Sequence, residues 1–156
     1  MAVENGWIRQ FRPDDAGACS DIVCSCLKLD PMIPTAVKHE LLRLESPETM
    51  LKRAKLFYLA VCIMENQLLG VAGVDMNEIR LLFVDPAHQR KGIGSSLLRH
   101  VEALVPPGLF HVIFIYSAQS AVCFYQGHGY QPGGEYPFHV GGHTVPTIFM
   151  TKRLDM

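Results

Sequence analysis

An α/β fold, a mixed sheet with helices on both faces, is predicted by three features of this 156-residue sequence. Short β-prone runs, "LFYLAVCI", "QLLGVAGVD" and "FHVIFIY" among them, alternate with stretches of helical periodicity. Glycine, proline and asparagine punctuate the joins. The apolar stripe Ile93, Leu97, Leu98, Val101, Leu104 and Val105 falls on one face of a helix over residues 93–105.

The first strand is "GWIRQF". Pro13-Asp14-Asp15 then opens a helix with apolar positions at Ile22, Val23, Cys26 and Leu27. Pro31 and Pro34 stop it, because a proline has no N–H to continue the ladder. A second helical region covers residues 35–44. Beyond it, Ser46-Pro47-Glu48 combines an N-cap, a proline suited to the first helical position and an acid beside the helix dipole. "LFYLAVCI" and "QLLGVAGVD" flank Glu65-Asn66, the length of a tight turn between antiparallel strands, and a further strand covers residues 77–84. Pro106-Pro107-Gly108 ends the 93–105 helix, "FHVIFIY" is a buried strand, and "AQSAVCFYQGHGY" is a short helix closing at glycine. "YPFHVGGHTVPTIFMTKRL" supplies two strands around Gly141-Gly142. The order β-α-α-β-β-β-α-β-α-β-β gives a sheet of about seven strands.

A chain of this length is expected to form one domain, residues 1–156, and to bury its core without disulfides or metals. Its 49% apolar and 19% charged content is that of a folded protein. With 14 basic against 15 acidic residues, electrostatics supply no reason to expect nucleic acid or an anionic membrane as partner. Five cysteines, an odd number without a CxxC pair, read as reduced, mostly buried thiols of a cytoplasmic protein, with no metal site. Cys19 and Cys26, seven apart, share a helix face as core residues do. The start "MAVENGWIRQ" has no basic-then-apolar signal, and the longest apolar run, residues 56–64, is too short to span a bilayer.

The segment "HQRKGIGSSLL" follows the 77–84 strand and carries the chemistry. A triphosphate loop requires GxxxxGK and a hydroxyl, but Lys91 precedes Gly92 and no glycine stands five residues upstream. The dinucleotide fingerprint GxGxxG is met at Gly92 and Gly94 and fails at Leu97, and the next strand ends without an acid. What remains is a strand-to-helix turn whose glycines clear the backbone and whose first helical turn offers unpaired N–H groups and a positive dipole end. Arg90 and Lys91 add charge at its rim, which suits a pyrophosphate; a glycine turn that binds nothing has the same spacing.

"LLFVDPAHQRKGIGSSLL" resembles motif A of the GNAT N-acetyltransferase superfamily, whose Q/R-x-x-G-x-G/A signature is met by Gln89, Gly92 and Gly94 after "VDP". "SAVCFYQGHGY" resembles motif B, with matches at Ala121, Phe124, Tyr125, Gly129 and Tyr130. The two motifs stand in the family's order and spacing, and with the element order the resemblance covers nearly the whole chain. It implies the GNAT fold, splayed between the fourth and fifth strands, and transfer of an acetyl group from the co-substrate acetyl-CoA to an amine. It implies that the backbone amides of Gln89, Arg90, Lys91, Gly92, Ile93, Gly94 and Ser95 hold the CoA pyrophosphate. The backbone of Leu82, Phe83 and Val84 would pair with the pantetheine arm as with an added strand. Ser96, Ser120 and Phe124 complete the implied cofactor-binding set. One position departs from the family: Ala118 replaces the asparagine that contacts the pantetheine region, with Ser117, Gln119 or Ser120 as the available substitutes.

An acceptor amine of pKa about 10 is protonated at neutral pH and cannot attack a thioester. The site therefore needs a base, donors for an oxyanion and an acid for the leaving thiolate. The resemblance puts the acid at Tyr125, whose alternative is a core aromatic packed with Phe124. Glu78 is the candidate base, directly or through a water, and its alternative is an exposed strand-end acid. Its spacing of six from Val84 puts both side chains on one face unless a bulge intervenes. A backbone N–H near Phe83 or Val84 would meet the oxyanion.

His139 and His143 flank a hairpin turn and are not read as metal ligands, His128 is expected to be solvated, and Cys123 is expected to be a core thiol. The resemblance implies that the acceptor, a small-molecule or peptide amine, lies between residues 27–39 and 133–143, where Glu135 is a candidate for holding a cationic group. A homodimer through the final strands is common in the family and is carried as an option. The alternative function is a catalytically silent acyl-CoA sensor of the same fold. Ala118 favours it, and the presence of both Glu78 and Tyr125 favours the enzyme.

Overall fold

Alternating burial along the strands sets the architecture. In β3 (Tyr58–Met64), Leu59, Val61 and Ile63 pack into one apolar cluster while Ala60 and Cys62 pack into another, so the strand is covered on both faces. The structure, a computed structural model, describes residues 2–3 by their backbone and residues 6–154 in full. β2 (Gly6–Gln10) precedes β3, and β4 (Gln67–Asp75) follows it through Glu65 and Asn66, both in the left-handed region at φ 49° and 63°. That pair of positive φ values makes the tight antiparallel turn expected there. β5 is Glu78–Val84, β6 Val112–Ser117, β7 Gln131–Val140 and β8 His143–Arg153, and the two-residue β1 (Ala2–Val3) is added at the near edge. The sheet order is β1-β2-β3-β4-β5-β6-β8-β7.

The helices are α1 (Ala16–Leu29), α2 (Thr35–Leu44), α3 (Pro47–Leu56), α4 (Ile93–Glu102) and α5 (Val122–Gln126). Three helices, not two, precede β3. The Ser46-Pro47-Glu48 signal starts one of its own, with the Ser46 hydroxyl accepting the Thr49 N–H at 3.1 Å. α1 and α3 pack on one face around Met50, Cys19 and Val23. α4 and α5 cover the other, around Leu97, Leu98, Val101 and Tyr130. α4 approaches β4 so closely that a Cβ on Gly70 would lie 2.7 Å from Leu97 Cδ1. Two expectations shift at helix ends. α4 stops at Glu102, which turns Leu104 out to solvent while Val105 stays buried. The motif B segment is a single 3₁₀ turn (Gln119–Ala121) followed by the short α5.

Each neighbouring pair of strands is antiparallel except β5 and β6, which are parallel and share one register pair, Glu78 with Phe114. Beyond that pair they diverge, and among the described residues the outer side of β5 has no strand partner as far as Val84. This is the splay that the resemblance implied, and it positions the site.

Candidate active site

Two backbone features of β5 decide what the cleft contains. First, Asp85 N–H donates to Leu69 C=O at 2.8 Å, and Val84 pairs with Gly70. Alternation in an antiparallel ladder then turns the N–H and C=O of Leu82 and Val84 away from β4, into the splay, while those of Phe83 face Val71. Of the three residues expected to offer backbone to an added strand, Leu82 and Val84 do so and Phe83 does not. The Val84 carbonyl is met there by two side chains, the Cys26 thiol at 3.1 Å and the Gln89 amide at 3.1 Å. Burial pushes the Cys26 thiol up to about 11, so it stays protonated and donates.

Second, the register jumps from Gly73–Leu81 to Val74–Ile79, so Arg80 is the extra residue of a β-bulge. The bulge separates Ile79, which packs with α4, from Leu81, which packs with α1 and α3. Glu78, opposite in pleat to Ile79, therefore lies on the α1 face. Val84 packs with the α4 cluster. The expectation that Glu78 and Val84 share a face is overturned, and the extra residue is the cause. Glu78 is half-buried, 3.7 Å from Arg80, and its carboxyl is raised above the ordinary value. Desolvation is the main cause and Asp75 adds to it, with Arg80 opposing.

Tyr125 stands on the other face. It is 3% exposed, within the α4 cluster, and its ring meets Phe124 and Tyr130 edge-on at 5.1 and 5.5 Å. Desolvation raises its hydroxyl pKa and favours the protonated form. Across the splay, then, a carboxylate lies on the α1 face and a protonated phenol on the α4 face.

The glycine loop begins where the strand ends. Asp85 caps the turn by accepting Ala87 N–H, and Arg90 and Gly92 both take positive φ, 63° and 86°. Gly92 is the N-cap of α4 with no side-chain cap, and a Cβ placed on it would meet nothing within 4 Å. The first-turn N–H groups of α4 thus open onto free space, an arrangement that fits an anion. Arg90 and Lys91 are exposed, whereas the side chains of Ile93 and Ser96 are buried; Ile93 leaves its backbone to a ligand, and the Ser96 N–H already donates to Gly92 C=O at 3.0 Å.

Motif B closes on this loop. A Cβ on Gly94 would touch the Phe124 ring at 3.4 Å. Ser95 Oγ lies 2.9 Å from His128 Nε2, which burial shifts below the ordinary imidazole value. His128 is therefore a half-buried strut between the motifs, not a solvated residue. Cys123 is exposed, not a core thiol, because α5 turns Tyr125 inward and Cys123 away. The Ser120 hydroxyl donates to Asp30 at 2.7 Å and Ser117 to Ala118 C=O at 2.8 Å, so neither hydroxyl stands free as a substitute for the asparagine missing at Ala118.

Sequence reading missed the wall opposite α1. Phe114 and Tyr116 point away from the core residues Ile113 and Ile115 and meet Phe149, Tyr136 and Phe138, with ring centroids 4.5 to 5.8 Å apart. The signal was present as alternating aromatics in "VIFIY" and "YPF", but three strands had to pair before they converged. Glu135, which pairs with Ile148 just past an irregularity in the β7 register, lines a depression in this wall beside Tyr116, Tyr136 and Phe149.

The sequence profile of the acetyltransferase (GNAT) domain matches residues 28–152. Solved structures share the fold. A GCN5-related N-acetyltransferase structure from Rhodopseudomonas palustris, also described as an aminotransferase of class II, superposes with a TM-score of 0.90 at 16% identity, over 99% of each chain. PaiA N-acetyltransferase of Thermoplasma acidophilum, in complex with coenzyme A, has a TM-score of 0.77 at 16% identity over 99% of this chain and 100% of that one. YncA of Salmonella typhimurium, with its cofactor acetyl-CoA, has a TM-score of 0.73 at 19% identity over 97% and 95%. With four-fifths of its length matched by the family profile and the splayed sheet in place, the chain belongs to the GNAT acetyltransferase family.

Proposed function

We propose that the chain, acting as one domain in the reducing cytoplasm, transfers an acetyl group from acetyl-CoA to the primary amine of a small molecule or peptide by direct attack. The observation that supports this reading is that Glu78, at the closed end of the splay, lies on the α1 face and Tyr125 on the α4 face, while the outward backbone of Leu82 and Val84 lies farther along the same strand as Glu78. Acetyl-CoA supplies the acetyl thioester. The open N-terminus of α4, with Arg90 and Lys91 at its rim, suits its pyrophosphate, and the outward backbone of Leu82 and Val84 suits the pantetheine arm once Cys26 and Gln89 release the Val84 carbonyl.

Glu78, directly or through a water, takes the proton that the ammonium must lose before its nitrogen attacks from the α1 face. The outward N–H of Val84 or Leu82 meets negative charge developing on the acetyl oxygen. As the carbon–sulfur bond breaks, Tyr125 gives its proton to sulfur on the α4 face. The nitrogen loses its second proton to water, Tyr125 is reprotonated from water and Glu78 releases the first proton, so that amide, free CoA thiol and one net proton leave. Free thiol should appear when the protein is mixed with acetyl-CoA and a panel of primary amines. Ala118 is the observation on the side of a silent sensor, and tight acetyl-CoA binding with no thiol released for any amine would establish that reading instead.

A further inference from the structure

Five aromatic rings on one sheet face lie beside Glu78. Phe114 is the register partner of Glu78 across the parallel pair, and partners in register share a face. From Phe114 the wall runs through Tyr116 and Phe149 to Tyr136 and Phe138, and a depression of about 350 Å³ is lined by Tyr116, Tyr136 and Phe149 with Gly134 and Glu135. Tyr136 and Phe138 remain 47% and 42% exposed, an unusual state for aromatic side chains so close to one another. α2 packs on the β7–β8 hairpin, with Glu40 against Gly141, and closes the far end of this face.

We propose that the wall selects the acceptor, and that the acceptor is an arylalkylamine: one ammonium group on a short stem carrying a flat apolar ring. This rests on the acetyl-transfer reading given above. A ring of that size fits the depression and stacks on Tyr116 and Tyr136, while the ammonium is drawn to electron-rich ring faces and then to Glu78, where it loses its proton. A polyamine or an aminoglycoside carries several charges and needs carboxylates along the length of its site. Here Glu78 stands at one end, Glu40 is held by Arg43 at the other, and the depression between them carries one carboxylate, Glu135, against three aromatic rings, enough for a single ammonium and too few for a chain of them.

The test measures thiol release from acetyl-CoA with phenethylamine, tryptamine, spermidine, kanamycin and an alanine-initiated peptide. The two arylalkylamines should show kcat/KM at least about tenfold above the others, the worth of one or two aromatic contacts. Tyr136→Ala and Phe138→Ala, at positions too exposed to carry the fold, should each raise the amine KM about three- to tenfold and leave the acetyl-CoA KM unmoved. Preference for spermidine, kanamycin or the peptide would overturn the acceptor assignment and leave acetyl transfer standing. So would variants that dissociate a dimer without changing the amine KM, because the wall would then be a contact between copies. No thiol from any amine would overturn both readings.

Discussion

Glu78 and Tyr125 are shifted in the same direction chiefly by loss of water, and in the proposed mechanism that shift suits opposite roles. A carboxyl raised above 4.5 is a stronger base than an ordinary one, and a phenol raised above 10 holds its proton until a thiolate needs it. The sign for pH follows: Glu78 is inactive when protonated, so the acidic limb of kcat/KM should lie above the usual carboxylate range. Glu78→Gln should lower kcat/KM about 100-fold and abolish that limb, and a limb that survives would assign the proton to a water instead. Tyr125→Phe should lower kcat about 100-fold and leave the calorimetric affinity for acetyl-CoA unchanged, because the hydroxyl acts only as sulfur leaves. Both residues were legible in the sequence. The face that Glu78 occupies was not, because an even spacing reads as one face only in an unbroken strand, and Arg80 breaks it.

At the scale of elements, the β5–loop–α4 unit was the most legible part of the chain. Its information is contiguous: an apolar run, a turn capped by Asp85, and glycines at the helix start. Gly92 at φ 86° is the position that demands glycine. A valine there should destabilise the fold by about 1–3 kcal/mol through backbone strain alone. Its methyl groups would also enter the space before the first-turn amides. Gly92→Val should therefore weaken acetyl-CoA binding by more than about tenfold by calorimetry, beyond any loss seen in denaturant melts of the free protein. The short α5 was harder to read, because the half-buried His128 just after it owes its role to Ser95 of α4, 33 residues away.

For the whole molecule, a ligand that binds only the folded state raises stability in proportion to its occupancy. Acetyl-CoA at 100 times its dissociation constant should add about 2.7 kcal/mol, a rise in Tm of about 5–10 °C for a domain of this size. ATP and NAD should shift Tm little, because the loop departs from both of their signatures. An equal shift with ATP would mean that the site reads phosphate alone. The sequence by itself determined the fold class, the order of elements but for one helix and a short edge strand, and the glycine turn before α4, and it named the two candidate proton-transfer residues, since each is written in local periodicity or in a short motif. Tertiary structure decided which backbone groups enter the cleft, which face holds Glu78, and where five aromatic rings meet. Those depend on register across a sheet, where a single extra residue reverses every side chain that follows it.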